Sequence, residues 1–106
     1  SNGYTPLFYL IRHYKDNNIE KLIDYFINNG ANIWELDKNN FNIINILIQK
    51  NNFILFDYFI SKNYFSYDDV FKSKNNISKK NFHKINKYIK NKENNFPYLN
   101  NRYKFI

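Results

Sequence analysis

Cysteine and methionine are both absent from this chain of 106 residues, which also holds only two glycines, two prolines and one tryptophan. Without cysteine there is no disulfide, no thiolate metal ligand and no cysteine nucleophile, and the redox compartment is left open. The two glycines, Gly3 and Gly30, stand 27 residues apart, so no glycine-rich loop exists to cradle a phosphate. No apolar run approaches the roughly 20 residues that span a bilayer, and no cleavable leader is visible. With no initiator methionine, the chain is expected to be part of a longer or processed protein. The two histidines, His13 and His83, have no Ser, Asp or Glu at a spacing that builds a triad or a metal site. Catalytic, cofactor-binding and metal-ligating residues are therefore all expected to be none, and no cofactor is expected.

What is present is apolar and aromatic. Hydrophobic residues make up 43% of the chain and aromatic residues 21%, enough for one folded domain with one core. The tetrapeptide Asp-Tyr-Phe-Ile occurs twice, beginning at Asp24 and at Asp57, 33 residues apart. Neighbours keep the same step: Leu22 pairs with Leu55, Ile23 with Phe56, and Gly30 with Asn63. Within each copy the apolar residues (Leu22, Ile23, Phe26, Ile27, then Leu55, Phe56, Phe59, Ile60) follow a broad helical face rather than a strand alternation. Asp24 and Asp57 fall off that face and are expected to lie in water.

Helix ends repeat too. Gly30 follows its helix where a residue of positive φ commonly ends one, and Asn63, at the matching place, is the next best residue for that conformation. Upstream, Gly3-Tyr4-Thr5-Pro6-Leu7 aligns with Asn40-Phe41-Asn42-Ile43-Ile44. Thr5 and Asn42 are then N-caps, and Pro6 sits in a first turn, where its missing N–H costs nothing. The pattern predicts helices at about 5–14, 19–28, 42–50 and 52–62.

These residues resemble the ankyrin repeat. Asn2-Gly3-Tyr4-Thr5-Pro6-Leu7, Asn29-Gly30-Ala31-Asn32-Ile33 and Asp37-Lys38-Asn39-Asn40 are similar to that family's Gly-x-Thr-Pro-Leu-His motif, its Asn-Gly-Ala-Asp-Val motif and its Asp-x-x-Gly hairpin. Phe8 stands where the family has His, and the second unit reads Asn42-Ile43-Ile44-Asn45 in place of Thr-Pro-Leu-His, so the family's hydrogen bonds between repeats do not carry over at that motif. The first unit is longer, with the extra residues near Tyr14-Lys15-Asp16-Asn17-Asn18, a polar loop that tolerates them. The resemblance implies an all-α, ankyrin-type helix-turn-helix repeat solenoid in one domain over residues 1–106. Repeat one covers about 2–38 and repeat two about 39–70, and a divergent third, capping unit covers about 71–106.

The resemblance also implies a non-catalytic protein interaction module or scaffold, monomeric as a domain, whose partner is another protein. Carried over by position, the contact residues are Tyr4, Arg12 and His13, then Trp34, Leu36, Lys38, Asn39, Phe41, Gln49 and Lys50. Trp34 is either a binding anchor or packs across its hairpin onto a neighbour.

After residue 65 the pattern loosens. Ser66 to Phe71 reads as a short first helix and Ser78 to Lys92 as a longer one, with Phe82, Ile85 and Ile89 on one face and Lys80, Lys84, Lys87 and Asn91 on the other. The tail from Asn94, with its Phe, Tyr and Leu residues, either folds back over that end or begins another unit. Residues 1–71 carry a net charge of −2 and residues 72–106 carry +9, which together make the formal +7. The alternative function is thus electrostatic binding of nucleic acid or an anionic membrane by Lys80, Lys84 and Lys87. A cytoplasmic or nuclear location is the expectation.

Overall fold

The computed structural model describes residues 6–15 and 18–95, with only the backbone of residues 94 and 95. Among these residues the fold is all-α, with six α-helices, one 3-10 turn and no strand. The helices are α1 (Pro6–His13), α2 (Ile19–Asn28), α3 (Ile43–Gln49), α4 (Phe53–Ser61), α5 (Tyr67–Lys72) and α6 (Lys79–Asn95), with the 3-10 turn at Lys74–Asn76. Thr5 and Gly3 lie outside the described residues.

Local chemistry sets the boundaries. The Asn42 side chain accepts the Ile44 and Asn45 N–H groups, and that of Asn52 accepts the Leu55 N–H, so two helix starts are satisfied by an asparagine. Ser66 and Asp69 exchange reciprocal bonds in a capping box at the start of α5. At the C-termini Gly30, Asn51 and Asn63 all take positive φ, 96°, 55° and 60° respectively. The bonds around the first and last match at the 33-residue step. Ala31 N–H reaches Phe26 O at 2.9 Å and Tyr64 N–H reaches Phe59 O at 3.0 Å, closing the same left-handed helix end. The 33-residue periodicity thus extends to individual backbone hydrogen bonds.

The helices pair: α1 packs on α2 and on α3, and α3 packs on α4 and on α6. The centre is α3, where every residue from 43 to 48 is buried. Around it lie Leu7, Phe8, Leu10 and Ile11 of α1, Leu55, Phe56 and Phe59 of α4, and Ile85 and Ile89 of α6. Among the described residues twenty buried apolar side chains form this core, each worth about 1.5–3 kcal/mol when fully buried. A buried polar seam crosses it. The Asn45 side-chain oxygen accepts from Ser78 N–H at 2.8 Å and from the Asn81 amide at 3.1 Å, which pins α6 against α3 and leaves neither amide unpaired.

The expected short helix at 66–71 and longer one at 78–92 are α5 (Tyr67–Lys72) and α6 (Lys79–Asn95), and it is α6 rather than α5 that packs on α3 as the next neighbour. Its apolar stripe, Phe82, Ile85 and Ile89 at spacings of 3 and 4, holds it to the core. One expectation needs correction: Asp24 and Asp57 are not simply solvated. Asp24 accepts hydroxyl bonds from Tyr58 and Tyr64, each at 2.5 Å, and lies 3.7 Å from the Lys62 ammonium. Asp57 accepts from the Tyr88 hydroxyl at 2.6 Å and from Lys92 at 2.7 Å.

Candidate functional site

A polar groove of about 370 Å³ runs where α1, α3 and the start of α6 meet the turn after α2. Five of the residues singled out from sequence line it together: Arg12, Asn39, Phe41 and Gln49 of the protein-contact set, and Lys80 of the polyanion set. Its floor is the Asn45–Asn81 seam, and Ser78 and Lys80 complete one wall.

Asp37 organises the groove's rim. Its carboxylate accepts the Asn39 and Phe41 N–H groups at 2.8 and 3.0 Å, while its own N–H donates to Phe41 O at 2.9 Å. This is a tight turn built on an aspartate, with Asn40 at φ 65° in the left-handed region where asparagine is tolerated. The other Asp37 oxygen faces the Arg12 guanidinium at 3.5 Å. One carboxylate thus shapes the turn and also holds the arginine at the groove's edge. Lys50 donates through its ammonium to the Arg12 carbonyl oxygen, which fastens the end of α1 to the end of α3. Above the buried Asn45–Asn81 pair, the groove therefore presents amides from Asn39 and Gln49 and cations from Arg12 and Lys80. Amides offer both donors and acceptors, the equipment to read the backbone and polar side chains of a bound segment.

The remaining candidates lie elsewhere. Trp34 and Leu36 are 42% and 36% exposed on the stretch between α2 and α3. Trp34 keeps one edge near Phe65, at 6.3 Å between ring centres, so it is part anchor and part packing. Lys38 is exposed in the Asp37 turn. His13 lines a second, apolar cavity with Pro6, Tyr9, Leu10, Tyr14 and Phe26. Tyr4 lies outside the described residues. The three lysines of the alternative do not form one uniform face. Lys80 and Lys87 are exposed, whereas Lys84 is half-buried and donates to Ile48 O at 3.3 Å.

Sequence reasoning missed the aspartate–tyrosine links. Both take their aspartate from the repeated tetrapeptide: the tyrosine of the second copy donates to the aspartate of the first, and Tyr88, outside the repeat, stands in the same relation to Asp57. The signal was there, because each copy carries an aspartate beside a tyrosine and packing one helix pair on the next brings them together. Burial alone would raise Asp24, but the hydroxyls of Tyr58 and Tyr64 and the charge of Lys62 outweigh it and hold the carboxyl below its ordinary value. Burial and the bond to Asp24 push Tyr58 upward and Tyr64 up to about 12. Burial and Asp57 likewise push Tyr88 up to about 12.

Among the described residues no three His, Asp or Glu side chains converge as a metal site requires. No helix among them is long and apolar enough to cross a membrane. No family model, curated protein or solved structure matches the chain.

Proposed function

We propose that this chain is an ankyrin-type helical repeat module, two units and a divergent third that caps them, which binds another protein without catalysing a reaction. The observation that carries it is the groove. Arg12, Asn39, Phe41 and Gln49 come from three separate segments of the chain and line one concave surface, and they are residues that the repeat resemblance assigns to protein contact. The matching helix ends at Gly30 and Asn63 support the repeat itself. Trp34 and Leu36 add exposed apolar area on the same connecting stretch. Aromatic and arginine side chains are the common anchors of protein interfaces.

Photo-crosslinking tests the proposal. A photoreactive residue at Gln49 or Asn39 should yield a defined protein adduct that one at Ile54, 83% exposed on α4, does not. Arg12→Ala should abolish that adduct. Trp34→Ala should weaken it while leaving stability within about 0.5 kcal/mol. Equal adducts from Ile54, or adducts indifferent to Arg12, would count against the groove.

The polyanion alternative has a specific support, the exposed Lys80 and Lys87. Because Lys84 is engaged with Ile48 O, only two of the three lysines are free for phosphates. Binding through that pair should give a slope of about −2 in log affinity against log salt. A protein-binding groove read mainly by amide side chains, with Arg12 as its one required cation, would give a shallower slope, because uncharged contacts are not screened. Submicromolar binding to duplex DNA or anionic vesicles at physiological ionic strength would put the lysines ahead of the groove.

A further inference from the structure

In each Asp-Tyr-Phe-Ile copy the aspartate accepts a tyrosine hydroxyl from an element that follows in the chain, and in the second copy the tyrosine donates back to the first. Asp24 of α2 takes the Tyr58 hydroxyl of α4, and Asp57 of α4 takes the Tyr88 hydroxyl of α6. One step back, the equivalent tyrosine is Tyr25. It is 62% exposed, and no described residue accepts its hydroxyl.

The apolar residues around it tell the same story. Leu55 and Phe59 of α4 are 3% and 0% exposed, because α1 and α2 lie on one side of their helix pair and α6 on the other. Their counterparts on α2, Leu22 and Phe26, are only half-buried. Beside Phe26 opens the apolar cavity of about 620 Å³ that Pro6, Tyr9, Leu10, His13 and Tyr14 complete. A cavity of that size lined by apolar side chains is a surface that gains free energy when covered.

We propose that this face of α1 and α2 docks a further helix pair of the same kind, whose second helix sets an aspartate against the Tyr25 hydroxyl and whose apolar side chains fill the cavity beside Phe26. The occupant follows from continuity with the interface already present between the first two helix pairs, which uses the same residue types in the same places. A second copy of the chain docked by its opposite end does not fit. There Lys87 occupies the position of Asp24 and Asp57, immediately before Tyr88, and an ammonium group cannot accept a hydroxyl proton. Tyr25 and Phe26 do not line the polar groove, so this surface and the groove stand or fall separately.

The test adds such a pair to the 106-residue chain. A copy of residues 1–37, the stretch ending at the Asp37 turn, is placed directly ahead of Ser1, and thermal unfolding is followed by circular dichroism. The extended protein should melt in one transition, several degrees above the 106-residue chain. Tyr25→Phe in the original chain should leave its midpoint unchanged. The same substitution at the junction of the extended protein should lower the midpoint by about 3 °C. That loss should vanish when the aspartate of the added copy that corresponds to Asp24 is replaced by lysine. An added segment that melts separately, or leaves the midpoint where it was, overturns the proposal, as does a Tyr25→Phe effect that is the same in both proteins.

Discussion

α2 and α4 carry the same four residues in the same helical register, yet one copy is enclosed and the other stands open. Phe59 is fully buried, while Phe26 is half-buried beside a cavity. Tyr58 donates to Asp24, while Tyr25 points into solvent. Identical local sequence therefore gives identical local structure, the helix and its left-handed end, but very different energetic weight. Weight comes from what lies on either side. α4 has α3 beside it, α2 before it through Asp24, and α6 after it through Asp57. For α2 only the following side is covered by described residues.

The comparison breaks most sharply at the phenylalanines. Phe59→Ala removes a side chain that is 0% exposed and should destabilise by about 3–4 kcal/mol, whereas Phe26→Ala should cost about half of that because its ring is already part-solvated. Urea midpoints of the two variants measure the ratio directly. Equal losses would mean that the face of α2 is covered after all.

Backbone strain at the two helix ends comes next. Gly30 sits at φ +96°, and a Cβ there would meet nothing within 4 Å, so substitution costs conformation alone. Gly30→Val should lower stability by about 1–2 kcal/mol, while Asn63→Gly, at φ 60°, should be neutral or mildly stabilising. A Gly30→Val melt that matches the parent would remove the left-handed end from the explanation.

A smaller effect separates the two links by pH. The Asp24 carboxyl is held below its ordinary value. The stability it adds is therefore present in full above the unfolded value of about 3.9, and is lost as the pH falls through the lower folded value. Tyr64 and Tyr88 are raised to about 12. The stability they add is present below the unfolded value of about 10 and is lost as the pH rises through the folded one. Asp24→Asn should flatten the acid side and leave the alkaline loss that belongs to Tyr88. Chemical denaturation across the pH range reads both edges.

The helices were legible in the sequence because their causes are local. Expected spans of 5–14, 19–28, 42–50 and 52–62 became Pro6–His13, Ile19–Asn28, Ile43–Gln49 and Phe53–Ser61, and the asparagines that cap and end them sit beside the residues they serve. Asn42 and Asn63 could be assigned from a few neighbours. Asp24 could not, because its partners Tyr58 and Tyr64 lie 34 and 40 residues away, and an aspartate off the apolar face looks solvated until the next helix pair is placed. The length of α6 was legible for the same local reason as the other helices, the expected helix over 78–92 being Lys79–Asn95, with Phe82, Ile85 and Ile89 on one face. Of the groove, the contributions of Arg12, Asn39, Phe41 and Gln49 were legible by position. Those of Ser78, Lys80 and Asn81 depended on α6 lying against α3, which the loosened third unit did not reveal.

The most direct measurement is a double-mutant cycle between Asp24→Asn and Tyr58→Phe, with Tyr25→Phe run beside it as the open-face counterpart. Because Asp24 also receives Tyr64 and Lys62, only the cycle isolates the one bond. A coupling of about 1 kcal/mol between Asp24 and Tyr58, with Tyr25→Phe neutral in the same chain, is the predicted result. No coupling between Asp24 and Tyr58, or a Tyr25→Phe loss as large as that of Tyr58→Phe, would contradict the claim that aspartate–tyrosine bonds join successive helix pairs and leave one face open.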